Sequence, residues 1–254
     1  LAARKRSGCC GHALLVPSPF ELFFPDVCVG CGQPPRLLCD PCAGLAFAAP
    51  ARVSRTALDA TGWPTWALAT FEGRAAAVLR AVKDHNLTAA LQSVLPSVVS
   101  MFEALPLFDA GPVAVLLLPV PGSRASWRRR GFDLPSLVAA RIARDCTAPA
   151  LMSASLKQVR HIADQRRLGV SARASNLEGS MLCDAEQLGR ELARLAPTAP
   201  RVAVVILDDV LTTGATLAEA HRAVQAVLDA MRMPVEINGA FFVLAETLLK
   251  NDAP

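Results

Sequence analysis

Two six-residue apolar runs stand out along the chain. Val113–Leu118 lies between Gly111-Pro112 and Pro119, and Val202–Leu207 runs straight into Asp208-Asp209. Neither run alternates with polar residues, so both read as strands buried on two faces, as in a parallel sheet. Elsewhere the spacing turns helical. Leu217, Ala220, Val224, Val227, Leu228 and Met231 form an apolar stripe with the period of an α-helix. Gly73–Val82, Thr88–Leu105, Leu134–Arg144 and Gln187–Leu195 read as further helices, with a kink or boundary expected at Pro96. Trp63–Phe71 and Val235–Ala245 are the remaining strand candidates. Strands alternating with helices predict an α/β domain on a mostly parallel sheet.

The expected layout is a tail over 1–19, a metal-binding knuckle module over 20–48, a linker over 49–62, the main domain over 63–246, and a tail over 247–254. The linker is inferred from Ala, Pro and small polar residues that show no period. With 254 residues, 52% hydrophobic and 19% charged, the chain can bury a sizeable core and is not broadly disordered. The apolar runs fall far short of the roughly 20 residues of a membrane-spanning helix. After Arg4-Lys5-Arg6, Pro17, Pro19 and Glu21 interrupt the apolar stretch, unlike a signal peptide. A soluble, cytoplasmic protein with no membrane span is expected.

Charge is unevenly spread. The net charge of +4 conceals a segment, Arg124–Arg173, with eleven Lys/Arg and three Asp. Such a basic island suggests a local anion site more than a whole surface built for polyanions. Near the N-terminus, Cys28, Cys31, Cys39 and Cys42 are spaced C-x2-C-x7-C-x2-C. Two such knuckles can supply four thiolates to one tetrahedral structural zinc, with no position left open for chemistry. Two disulfides or four reduced thiols are the alternatives. Cys9, Cys10, Cys146 and Cys183 lack that spacing.

The most informative stretch is VAVVILDDVLTTGATLAEA, Val202–Ala220. It reads as a buried strand, two carboxylates at its carboxyl end, a small-residue loop, then a helix. Ligands of open α/β sheets bind at that end of the strands. Thr212, Thr213, Gly214, Ala215 and Thr216 offer amides and hydroxyls at a helix start, suited to a phosphate. Thr216 with Glu219 fits a capping box. Asp208 and Asp209 would instead accept hydrogen bonds from sugar hydroxyls. There is no G-K-[ST] ending and no G-x-G-x-x-G. At the end of the other strand, Val120, Pro121, Gly122, Ser123 and Arg124 form a turn-rich loop closing on a cation, suited to a diphosphate. Trp127-Arg128-Arg129-Arg130-Gly131-Phe132 continues the positive charge. It reads as a hood over the diphosphate, as a solvated basic loop, or as a surface for single-stranded bases.

The Asp-Asp-x-x-Thr-Thr-Gly-Ala-Thr run resembles the signature of type I phosphoribosyltransferases, which bind phosphoribosyl pyrophosphate (PRPP). By that resemblance Asp208 and Asp209 take the ribose hydroxyls and Thr212–Thr216 the 5-phosphate. The knuckles, the Arg-Gly-Phe stretch, Arg160…Gln165…Leu168…Arg173-x-x-Asn176-x-x-Gly179 and the Asp-Asp loop follow one another in the order seen in the ComF family. Phe71-Glu72-Gly73-Arg74 and Lys83 are also similar to that family, although Asp84 stands where an aromatic is usual and Asp133-Leu134 where Asn-Gln is common. The resemblance implies a phosphoribosyltransferase fold with an N-terminal zinc ribbon, PRPP bound with magnesium, and a link to DNA uptake in natural competence. Transfer of the phosphoribosyl group to an acceptor is one implied activity. A non-catalytic component that binds single-stranded DNA or competence proteins is the other.

Overall fold

A computed structural model describes residues 27–34, 37–159 and 177–248. Eight strands and eight α-helices are named here in chain order among those residues. Helix α1 (Asp40–Gly44) belongs to the cysteine segment. Strand β1 (Ala51–Val53), helix α2 (Thr56–Asp59) and strand β2 (Thr65–Ala67) follow it. Helices α3 (Gly73–His85) and α4 (Thr88–Glu103) then lead to strand β3 (Ala114–Pro119). Next come α5 (Arg124–Arg130), α6 (Leu134–Asp145) and the short strands β4 (Ala150–Met152), β5 (Leu156–Gln158) and β6 (Met181–Cys183). The chain closes with α7 (Ala185–Leu195), β7 (Arg201–Leu211), α8 (Ala215–Ala230) and β8 (Glu236–Glu246).

Six strands form the main sheet in the order β1-β2-β8-β7-β3-β4. Only the outermost pair, β1 with β2, is antiparallel; the other four pairings are parallel. The apolar runs occupy its centre, and all six residues of β3 are buried. Because side chains alternate across a strand, each run feeds two cores. Val115 and Leu117 of β3 and Val205 and Leu207 of β7 pack with α3, α4 and α6 on one face. Leu116, Leu118, Val204 and Ile206 pack with α7 and α8 on the other. The cysteine segment joins the first face, with Cys28, Leu38, Cys39 and Cys42 in the same cluster as Val94 and Phe102.

This topology locates the site. β3 and β7 are hydrogen-bonded neighbours, from Ala114 opposite Val202 to Pro119 opposite Leu207. The chain leaving β3 reaches α6 on one face, whereas the chain leaving β7 enters α8 on the other. Their carboxyl ends therefore open into a crevice, the place where open α/β sheets bind ligands.

Three expectations change. Residues 49–62 are not a bare linker: β1 pairs with β2, Ala51 opposite Ala67 and Val53 opposite Thr65, and α2 follows. Small residues carry no period there because the strand lies at the sheet margin. Helix α4 runs through Pro96 rather than stopping at it. The Thr216–Glu219 capping box does not form, since α8 begins at Ala215 with Gly214 as its N-cap and no side chain bonding the cap. Glu219 is buried instead, accepting from the Met181 amide at 3.0 Å and Arg222 Nε at 2.7 Å. It ties the β5–β6 hairpin to α8.

Candidate functional site

The crevice is a cleft of about 350 Å³. Asp208 and Asp209 come from the end of β7, and Val120, Pro121 and Gly122 from the end of β3. Lys83 and Asp84 close one side from the last turn of α3. Arg129 and Arg130 of α5, then Phe132 and Asp133, close another. Thr216 completes the lining at the start of α8.

Burial and like charge dominate the electrostatics. Burial, reinforced by the neighbouring Asp209 carboxylate, pushes the Asp208 carboxyl up to about 8. Its Oδ1 accepts the Asp209 amide at 2.8 Å. Asp209 in turn pairs with Lys83 Nζ at 2.7 Å. Asp133 is also held above the ordinary carboxylate range, chiefly by burial, against the hydrogen bonds of Ser136. Asp133 caps α6, its Oδ2 accepting the Ser136 hydroxyl at 2.7 Å and the Ser136 amide at 3.2 Å. The other oxygen lies where a side chain on residue 122 would begin, so a larger residue there would force the Asp133 carboxyl to turn.

The 212–216 loop is held from below. Gly214 adopts φ +83°, and a Cβ there would stand 2.9 Å from Leu58 Cγ, so both conformation and space call for glycine. Helix α8 has 16 residues, and its first amides have no carbonyl one turn back to bind. Thr213 Oγ1 accepts the Ala215 amide at 3.5 Å; with no side chain on the cap itself, that end retains further donors and the positive end of the helix dipole for an anion.

The sequence-predicted residues thus separate into groups. Asp208, Asp209, Val120, Pro121, Gly122, Lys83, Arg129, Arg130 and Thr216 share the cleft. Thr212, Thr213, Gly214 and Ala215 adjoin it without lining it. Ser123 turns away to cap α5, accepting the Ser126 amide at 3.2 Å. The basic stretch, read as a loop, is a seven-residue helix on which Arg128 is exposed. Arg160, Gln165, Arg173, Asn176 and the side chain of Arg124 lie outside the described residues. Sequence reading passed over Arg55, whose Nε donates to the Thr212 carbonyl of the 212–216 loop at 2.9 Å; no periodic or motif signal marks it.

Away from the cleft, the ligand atoms of Cys28, Cys31, Cys39 and Cys42 lie within 4.8 Å of one another, close enough to hold a metal ion. The Cys28–Cys39 and Cys31–Cys39 sulfurs are 3.6 Å and 3.9 Å apart. Four thiolates about 2.3 Å from a central ion have edges of nearly that length, whereas a disulfide needs about 2.05 Å. Burial pushes the Cys28 thiol upward, but hydrogen bonds from Cys39, Cys31 and Gly30 outweigh it and bring it to about 6. Burial drives Cys42 up to about 12. Among the described residues no helix is long and apolar enough to cross a membrane. No family model matches the chain, and no curated protein matches it.

Two outcomes follow for the unliganded protein. Between about pH 4 and 8 the folded state keeps a proton on Asp208 that an unfolded chain has released. Its stability therefore falls as pH rises through that window, by up to about 1.4 kcal/mol per unit. Asp208→Asn is expected to flatten that slope and melt above wild type at pH 9, as read by thermal unfolding across pH. The cysteine cluster is expected to yield about one metal ion per chain by elemental analysis, and removing it under reducing conditions to lower the melting temperature.

Proposed function

We propose that this chain binds PRPP with magnesium as a phosphoribosyltransferase-like protein of the ComF kind, carrying structural zinc on Cys28, Cys31, Cys39 and Cys42. One observation carries the reading. Asp208 and Asp209 stand at the carboxyl end of a central strand, directly before a glycine-capped helix start, and share a cleft with the loop that ends the neighbouring strand. A sugar carrying phosphate groups at both ends needs those three elements in that arrangement.

In this reading the two carboxylates accept the ribose hydroxyls, and Lys83 gives up its 2.7 Å pairing with Asp209 as they do. Thr212–Thr216 take the 5-phosphate. Val120–Arg124 and the arginines of α5 take the diphosphate. Arg130 supports that role, because its Nε is buried with no hydrogen-bond partner among the described residues. Magnesium, when bound with the diphosphate, would neutralise charge on the departing group. Transfer breaks the bond from the anomeric carbon to a pyrophosphate oxygen and leaves positive charge on the sugar. Such chemistry rests on positioning and charge stabilisation, with no covalent help from the protein. Asp208, Asp209 and Asp133 all line that cleft.

One observation favours single-stranded nucleic acid as a second ligand. Trp127 is 59% exposed on α5 beside exposed Arg128 and Arg129, an aromatic platform flanked by cations. That surface lies on the same helix as the cleft arginines, so both readings can hold together.

PRPP with magnesium is expected to raise the melting temperature, as any ligand selective for the folded state does. The Asp208→Asn/Asp209→Asn variant should lose that shift; an equal shift in the variant overturns the ribose assignment. Binding to a single-stranded oligonucleotide, measured by fluorescence anisotropy, should fall steeply with salt and weaken when Arg128, Arg129 and Arg130 become Ala. Affinity indifferent to both removes α5 from nucleic-acid recognition.

A further inference from the structure

We infer that Arg55 is a positioning residue for the anion loop, and that the segment between β1 and β2 is therefore a working part of the site. Arg55 precedes α2 in the stretch that composition alone marks as a linker, yet it is 6% exposed. Its Nε donates to the Thr212 carbonyl at 2.9 Å, across 157 positions of sequence. Nη2 donates to Glu246 Oε2 at 2.8 Å and to the Thr247 carbonyl at 2.6 Å, and Nη1 to the Ser54 carbonyl at 2.7 Å. Every arm of the guanidinium is committed. Three residues on, Leu58 fills the space under Gly214, so the same segment grips the loop twice.

The bond to Thr212 has a stereochemical consequence. In a trans peptide the carbonyl and the following N–H point in opposite directions. Holding the Thr212 oxygen down on Arg55 turns the Thr213 amide hydrogen away from Arg55. Without that grip the peptide is free to rotate, and a carbonyl facing an anion repels it. The Arg55 charge is offset by Glu246 at 2.8 Å, so its influence on an anion comes through the Thr212 peptide it orients. A buried ion pair is a poor route to stability by itself. A loop that must present donors outward gives this one a purpose.

The inference rests on reading 212–216 as a phosphate cradle, and the experiment separates the two. Ribose 5-phosphate, inorganic phosphate and magnesium pyrophosphate are titrated by calorimetry into full-length wild type, Arg55→Lys, and Arg55→Met/Glu246→Gln, which removes both members of the buried pair. Folding is checked by circular dichroism. The expected result is a roughly tenfold weaker affinity for ribose 5-phosphate and inorganic phosphate in the double variant, with pyrophosphate unchanged. Arg55→Lys keeps the charge but not the donor fork, and should fall between. Should the double variant not fold, Arg55→Lys decides by the same comparison. Unchanged phosphate affinity, or equal losses for all three ligands, overturns the role of Arg55. Wild type that binds inorganic phosphate but not PRPP overturns the sugar reading, and the phosphate comparison alone then decides for Arg55. Wild type that binds no phosphate at all overturns both.

Discussion

The parallel pairing of β3 with β7 is the constraint on which the rest depends. Six consecutive partners, Ala114 with Val202 through Pro119 with Leu207, set the level of both carboxyl ends. The Val120 amide continues the ladder to the Leu207 carbonyl at 2.8 Å, which places the β3 loop beside Asp208. A slip of one residue would send Val115 and Leu116 each into the opposite core and undo the packing of both. Burying one such Leu or Val contributes about 1.5–3 kcal/mol, more than the roughly 1 kcal/mol of a single loop hydrogen bond. Hydrophobic register, not the polar groups of the cleft, therefore decides where those polar groups meet.

What the sheet brings together is electrostatically uncomfortable. Asp208, Asp209 and Asp133 line one cleft, and burial raises both Asp208 and Asp133. Lys83 relieves Asp209 directly and the others only at a distance. A fold selected for stability alone has little reason to collect these groups, and concentrated, perturbed carboxyls are characteristic of binding and reacting sites. The cysteine segment shows the opposite economy. Its thiols and Leu38 share a buried cluster with Val94 and Phe102, so it braces the face from which Lys83 projects rather than hanging beside it.

Much of this was legible in the sequence, and the remainder was hidden for identifiable reasons. β3 and β7 announced themselves because unbroken apolar runs ending in proline or aspartate have few other homes. The longer helices α3, α4, α6, α7 and α8 showed their period. Asp208, Asp209 and the Val120–Gly122 turn were readable from local motifs and Lys83 from the family resemblance, and they do share the cleft. Strands β4, β5 and β6 have three residues each, too few for alternation to register. Arg55 was invisible because its meaning lies in Thr212 and Glu246, partners that only the tertiary fold supplies. Glu219 was misread for the same reason, since a capping motif is local whereas its true partner, the Met181 amide, is not.

Helix α5 deserves a different accounting from its neighbours. It has seven residues, a serine at one end accepting the Ser126 amide and Gly131 at the other in the left-handed region. A helix that short lies below the length at which isolated helices hold together in water, and three consecutive arginines in its last turn repel one another even as they favour the dipole. It persists through its two caps and its seat on the cleft. Winding or unwinding it costs little, so the cationic wall can change shape while the strands that carry Asp208 and Asp209 stay fixed.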